Sequence, residues 1–376
     1  MDPGPHPPAR PLTPDEGPTA GSPGLPGPRV HLRRLDGVRG LAVVLVVAYH
    51  AGYLTAGWGP RLLPGGFVGV DLFFVLSGFL ITRILLGEQE RTGRIDLGRF
   101  GSRRLRRLYP ALLAATFVTL AVLGAFGDLP PAPDVASITA GTLLYGSNWQ
   151  QAWGWAYVPE LSHTWSLAIE AQFYLVWPFV LLAFHRLGLP RVVQALVLVA
   201  VMAVVSWHRA ALWTDQAHYL PLYLRTDTRI DVILAGCLLG CAVAWGWVGP
   251  AFGRALRLPS LVGLVVLGGA ALLTETGDVH LYRDHGLVAV LLAGTAIVGS
   301  VVLDPDWPVN RVFGWRPLAL LGDRSYSLYL WHVPVFLTIA RHAGSWPVAA
   351  KLGVGLVVAF AITEVSYRAV ESRFRA

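Results

Sequence analysis

The sequence predicts an all-α, polytopic integral membrane bundle of about ten transmembrane helices. Three observations carry that prediction. Of 376 residues, 54% are hydrophobic and only 14% charged, with a mean hydropathy of +0.52, too apolar for a soluble domain of this size. Apolar runs of spanning length recur along the chain, and about 20 helical residues cross a bilayer core. Basic residues gather in alternate connections, as membrane topology requires.

The runs lie at 38–57, 66–87, 109–126, 161–184, 190–207, 229–248, 258–274, 284–303, 317–340 and 347–369. The stretch 135–146 is apolar but short and reads as a re-entrant or interfacial segment, with eleven spans as the alternative count. The 88–108 connection carries Arg91, Arg94, Arg99, Arg103, Arg104, Arg106 and Arg107, whereas 127–160 has no Lys or Arg. The former is therefore expected inside and the latter outside. Arg29, Arg33 and Arg34 before the first span, and Arg368, Arg373 and Arg375 after the last, place both termini in the cytoplasm of a plasma-membrane protein.

Domain organisation follows: a disordered cytoplasmic tail at 1–34, rich in Pro and Gly and lacking the apolar run of a cleavable signal, a transmembrane domain at 35–370, and a short cytoplasmic tail at 371–376. The net charge of +7 is explained by arginines at membrane edges. The expected partner is the lipid bilayer, not nucleic acid. Cys237 and Cys241 share one helix with Gly236 and Gly240, a small-residue pattern for close helix packing rather than a disulfide framework.

Ionisable residues inside apolar runs are costly in lipid and mark interior pathways. In the first span, Arg39 and His50 lie eleven residues apart, which on a helix is about 16 Å and three whole turns, so they share a face at different depths. Asp71 opens the second span and reads either as a helix-start residue or as the partner of an interior cation. Ser77-Gly78 lacks the context of a nucleophile elbow and reads as packing. The arginine run at Arg103, Arg104 and Arg107 serves topology and also suits a polyphosphorylated ligand such as coenzyme A.

The richest segment runs from Pro159 to Tyr174. His163 and Glu170 are seven residues apart and share a side, with Trp165 and Tyr174 as aromatic walls for a sugar-like acceptor. A structural ion pair with Arg39 or Arg229 is the rival reading for Glu170. The charges from Arg225 to Asp231 read equally as a solvated cap or as part of a functional face. In the ninth span, Ser325, Tyr326, Ser327, Tyr329 and His332 precede Pro334 and form a polar cavity wall. The three histidines lack metal-ligand spacing, so no metal is expected.

Together, Leu35-Asp36-Gly37-Val38-Arg39-Gly40 with the Arg-x10-His spacing, the Gly66–Ile81 motif, the arginine run ending at Pro110, His163–Glu170 and Ser325–Pro334 resemble the membrane-bound acyltransferase-3 family in the same order. The resemblance covers about Leu32 to Phe374. It implies transfer of an acyl group, commonly acetyl, from the co-substrate acyl-CoA to a hydroxyl of a carbohydrate, glycolipid or glycosylated natural product, with no permanently bound cofactor. Arg39 and His50 match the family's Arg-x10-His pair.

This chain departs from the family pattern by having Ala171 after Glu170. It also lacks, soon after the last span, the SGNH-type domain of many members, so transfer is expected to finish within the membrane domain.

In the resulting expectation His50 is the general base, since an imidazole of ordinary pKa about 6.5 accepts a proton at working pH. Glu170 or Asp71 fixes its tautomer. Arg39, Arg103, Arg104 and Arg107 hold the donor, and His163, Trp165, Tyr329 and His332 line the acceptor side. A transporter or flippase of polar lipids is the alternative class.

Overall fold

The computed structural model describes residues 28–55 and 63–374, and every regular element among them is helical. Ten principal helices occupy the predicted runs: α1 Pro28–His50, α2 Gly69–Thr92, α3 Leu97–Phe126, α4 Trp165–Arg186, α5 Arg191–Ala211, α6 Ile230–Ala244, α7 Arg257–Leu273, α8 Gly286–Leu303, α9 Ser325–His342 and α10 Val348–Ala369. The expected tail at 1–27 and the last residues, 375–376, lie outside the described residues. Helix α1 begins before the boundary expected at 35. Glu371, expected in a tail, is buried and accepts a hydrogen bond from Ser327 at 2.8 Å.

Among the described residues, seven helical segments are long and apolar enough to cross a membrane, rather than ten. The shortfall has physical causes. Helices α6 and α7 are apolar but only 15 and 17 residues long, or roughly 22–26 Å of rise. The run at 317–340 is broken: one helix covers Arg316–Asp323, and α9 starts afresh at Ser325 with a polar face. The break follows from close packing, because a Cβ at Gly322 would sit 1.6 Å from the Asp36 carbonyl oxygen of α1.

Helix α3 runs continuously back through the arginine run to Leu97, started by the Asp96 side chain accepting from the Arg99 N–H at 2.9 Å. The short 135–146 stretch does not cross. It lies in a helical hairpin, Ala132–Leu143 and Ser147–Ala152, turned at Tyr145. Gln172 of α4 ties that turn down by donating to the Tyr145 carbonyl and to Asn148, both at 2.9 Å.

The core is centred on α2, whose spanning window is 72% buried, while that of α5 is only 17% buried and presents Leu196, Val204 and Trp207 outward. Such a contrast is what lipid-facing and interior helices require. Backbones at the α2–α6 seam nearly touch. A Cβ on Gly236 would lie 2.0 Å from the Val75 oxygen, and one on Gly78 would lie 2.0 Å from the Ile233 oxygen. Small residues let van der Waals contact substitute for the hydrophobic drive that lipid removes. At the end of the bundle remote from the arginine run, Asp128 accepts from Arg341 at 3.0 Å and from His342 at 2.6 Å, clasping the end of α3 to α9. Those bonds hold the Asp128 carboxyl below its ordinary value. The clasp therefore holds above the usual carboxylate range and loosens as pH falls through the lowered value.

Gly236→Val forces the α2 and α6 backbones apart and should destabilise the bundle by about 1–3 kcal/mol or more. Gly268→Ala, where a Cβ meets nothing within 4 Å, should leave stability unchanged or slightly raised. Thermal unfolding of the two variants in detergent checks the contrast.

Candidate active site

Five helices converge on a polar cavity of about 750 Å³, counting its open mouth. Helical periodicity explains who faces it. Helix α2 supplies Val70, Phe73, Phe74 and Ser77, α4 supplies Ser166, Glu170 and Tyr174, and α3 supplies Arg104, Arg107 and Leu108. Each set repeats at three or four residues, one face of a helix. Arg39 of α1 and Ser325, Tyr326 and Tyr329 of α9 complete the wall, with Asp323 and Glu371 at the arginine-rich end.

At its centre the Ser77 hydroxyl donates to Glu170 Oε1 at 2.6 Å, and the Tyr174 hydroxyl lies 3.2 Å from Glu170 Oε2 and from Ser77 Oγ. Short O–H···O⁻ bonds of this kind are strong in a low-dielectric interior. The Arg104 guanidinium stands 5.9 Å above the Tyr174 ring and 5.7 Å above Phe100. Arg39 lines the same space and pairs with Asp36 at 3.0 Å.

On the side remote from the arginine run the cavity is lined by Ser166 and Tyr329, whose hydroxyls lie 2.6 Å apart. The Tyr329 hydroxyl donates to the His163 carbonyl at 2.9 Å. Behind this pair stand three histidines. His332 Nε2 is 3.0 Å from His50 Nδ1, and the His163 ring centroid is 5.5 Å from that of His332 and 5.4 Å from that of Tyr329. Neither nitrogen of the buried His163 ring makes a hydrogen bond of ordinary geometry.

The expected residues thus fall into three groups. Arg39, Arg104, Arg107, Glu170 and Tyr329 meet in the cavity. His50, His163 and His332 meet behind it. Asp71, Arg103 and Trp165 lie elsewhere. Asp71 stands in the first turn of α2 and also pairs with the fully buried Arg229 at 2.6 Å, so features of both readings are present. Trp165, expected as an acceptor wall, packs against Phe74 and Tyr223 beneath the Arg229 guanidinium, 5.9 Å away. Arg103 does not line the cavity: it is 45% exposed and sits 3.8 Å from Glu88. Glu170 is bonded by Ser77 and Tyr174, and Asp71 by Arg229, rather than by His50. The Val46 carbonyl and His332 contact its Nδ1 instead.

Ser77, expected in packing, is a cavity residue. Tyr174, weighed as an aromatic wall, also reaches Glu170 through its hydroxyl. Ser166 carried a legible signal, since it lies on the same helical face as Glu170 and Tyr174.

This architecture defines a multi-pass membrane protein with an internal polar site. The chain belongs to the acyltransferase-3 family: the family's model, an acyltransferase domain, matches residues 32–367. It is similar to the O-acetyltransferase OatA of Staphylococcus aureus, 33% identical over 361 residues, covering 92% of this chain and 57% of the relative. It is also similar to the peptidoglycan O-acetyltransferase OatA of Listeria monocytogenes, 30% identical over 360 residues, covering 92% of this chain and 56% of the relative. The chain thus spans a little over half the length of these relatives. No solved structure matches it.

If the Asp71–Arg229 pair is structural, Arg229→Ala leaves an uncompensated buried carboxylate and should cost about 3–5 kcal/mol of stability. The double variant Asp71→Leu/Arg229→Met should cost less than either single change. A chemical-unfolding double-mutant cycle reads the coupling, and additive losses would contradict it.

Proposed function

We propose that this protein is a membrane O-acyltransferase that moves an acyl group, acetyl by analogy with its relatives, from cytoplasmic acyl-CoA to a hydroxyl of a cell-wall glycan or related carbohydrate on the outer side. One observation carries the reading: an arginine-lined cavity ends at the Ser166–Tyr329 pair, and the His50–His332 pair stands directly behind that wall. By the distribution of basic residues the arginine end faces the cytoplasm, with both termini there, and His50 lies toward the outer face. Membership of an acyltransferase family favours this reading over a transporter.

Arg39, Arg104 and Arg107 hold the donor, their guanidiniums matching phosphate oxygens bidentately. The thioester points toward Tyr329 and Ser166, the wall the acyl group crosses. His50 takes the proton of the acceptor hydroxyl as the oxygen bonds to the acyl carbon. The carbon–sulfur bond breaks, its electron pair leaves with sulfur, and the proton is returned to give the CoA thiol. The Ser77, Tyr174 and Glu170 cluster fixes the cavity floor, where Glu170 balances the arginines, so its catalytic part is electrostatic rather than contact with His50.

The test is release of CoA thiol from acetyl-CoA by purified protein. A charged hydrogen bond is worth about 1.5–3 kcal/mol, so Arg104→Gln and Arg107→Gln should each raise the donor KM roughly tenfold or more. Arg103→Gln, whose side chain does not line the cavity, should leave it unchanged. His50→Ala should abolish acceptor-dependent release. Equal KM effects at 103 and 104, or undiminished release from His50→Ala, would contradict the assignment.

A further inference from the structure

The proton inventory of the His50–His332 contact is fixed by its carbonyl neighbours. His332 is fully buried, and its Nδ1 lies 2.9 Å from the Leu328 carbonyl one turn back on α9. A carbonyl only accepts, so His332 Nδ1 carries a hydrogen and, in the neutral ring, its Nε2 is a bare acceptor. That acceptor lies 3.0 Å from His50 Nδ1, which is also 3.0 Å from the Val46 carbonyl on α1. Two acceptors converge on one nitrogen. His50 Nδ1 is therefore protonated, its hydrogen shared between them, and the basic lone pair of His50 sits on Nε2.

We infer that His332 is the positioning residue for His50, holding it in the Nδ1–H tautomer and accepting from it as the ring becomes charged. This rests on His50 being the base proposed above. General bases of the hydrolase type are oriented by a third group that bonds the nitrogen not engaged in proton transfer. Here that group is a neutral imidazole rather than a carboxylate. When the acceptor hydroxyl gives its proton to Nε2, the Nδ1–H bond to His332 becomes charge-assisted and strengthens. The Val46 carbonyl alone supplies a bond within one helix. His332 adds a contact from a second helix, fixing the ring's rotation against α9.

The geometry also separates His332 from His163, with which it shares the cluster. His163 packs edge-on to His332 and makes no bond to it, so it does not enter the tautomer argument. Other rings against His50 are Tyr49, at 4.8 Å, and Tyr53, at 5.6 Å between centroids. These wall the imidazole.

The experiment compares His332→Leu, which keeps bulk without an acceptor, with His332→Gln, whose amide oxygen can accept near the position of Nε2. With the full chain in nanodiscs and acetyl-CoA as donor, His332→Leu should lower kcat roughly 100-fold, the lower end of what a positioned base contributes, with the donor KM unchanged. His332→Gln should recover at least part of that loss. A Gln variant no better than Leu, or a Leu variant equal to wild type, overturns the assignment. Nitrogen-15 NMR of histidine-labelled wild type, assigned by the one signal lost in a His50→Ala variant whose other histidine signals are unmoved, gives a readout independent of turnover. It should report His50 as the Nδ1–H tautomer, and an Nε2–H tautomer overturns the inference. Wild type that releases no thiol would instead defeat the acyl-transfer reading, while the NMR result would still judge the tautomer.

Discussion

Charge inside a lipid-embedded bundle must be paired, and the Asp71–Arg229 contact at 2.6 Å shows how this fold meets that constraint. Asp71 of α2 meets Arg229 at the entry of α6, and two residues on Arg209 of α5 holds Asp231 at 2.9 Å. These pairs fix the ends of three helices whose α2–α6 seam has no room for a side chain at Gly78 or Gly236. With α2 anchored, Phe73, Phe74 and Ser77 are held in the cavity wall. The site thus inherits its geometry from a pair that takes no part in the proposed chemistry.

The same constraint sorts the remaining ionisable groups. Glu170 is satisfied by hydroxyls of Ser77 and Tyr174 rather than by one dedicated cation, and it shares its space with Arg39 and Arg104. The hydroxyls offset part of the cost of burying that carboxylate, yet leave it open to a ligand's charge, which a bidentate ion pair would not. His50 and His332 solve their burial differently, by bonding backbone carbonyls one turn back and each other. The two clusters meet at Ser166 and Tyr329. In the proposed function this places donor binding and acceptor activation on opposite sides of a thin hydroxyl wall.

Much of the fold was legible in the sequence because its signal is local. Spans follow from composition over about 20 residues, and Arg39, Glu170 and Tyr329 stand out as polar residues within apolar runs. What was hidden depends on pairing between distant segments. Asp71 and Glu170 look alike in sequence, each a lone carboxylate in an apolar run. Only the fold reveals that one meets Arg229, 158 residues away, and the other Ser77. Arg103 could not be separated from Arg104 until α3 was known to run unbroken through both, which sets their phase. Trp165 is aromatic beside a histidine, yet it turns into the core under Arg229. The ninth run looked like one span because hydropathy averages over the break at Arg324, which arises where Gly322 packs on α1.

In the proposed function one bundle binds the acyl donor from the arginine end and delivers the acyl group at the histidine end. The most direct measurement uses oriented proteoliposomes carrying radiolabelled acetyl-CoA on the arginine side and a glycan acceptor on the other. The account predicts alkali-labile labelled esters on that glycan, with one CoA thiol released per ester. Label confined to acceptors supplied on the donor's own side, or glycan movement across the bilayer without thiol release, would contradict it.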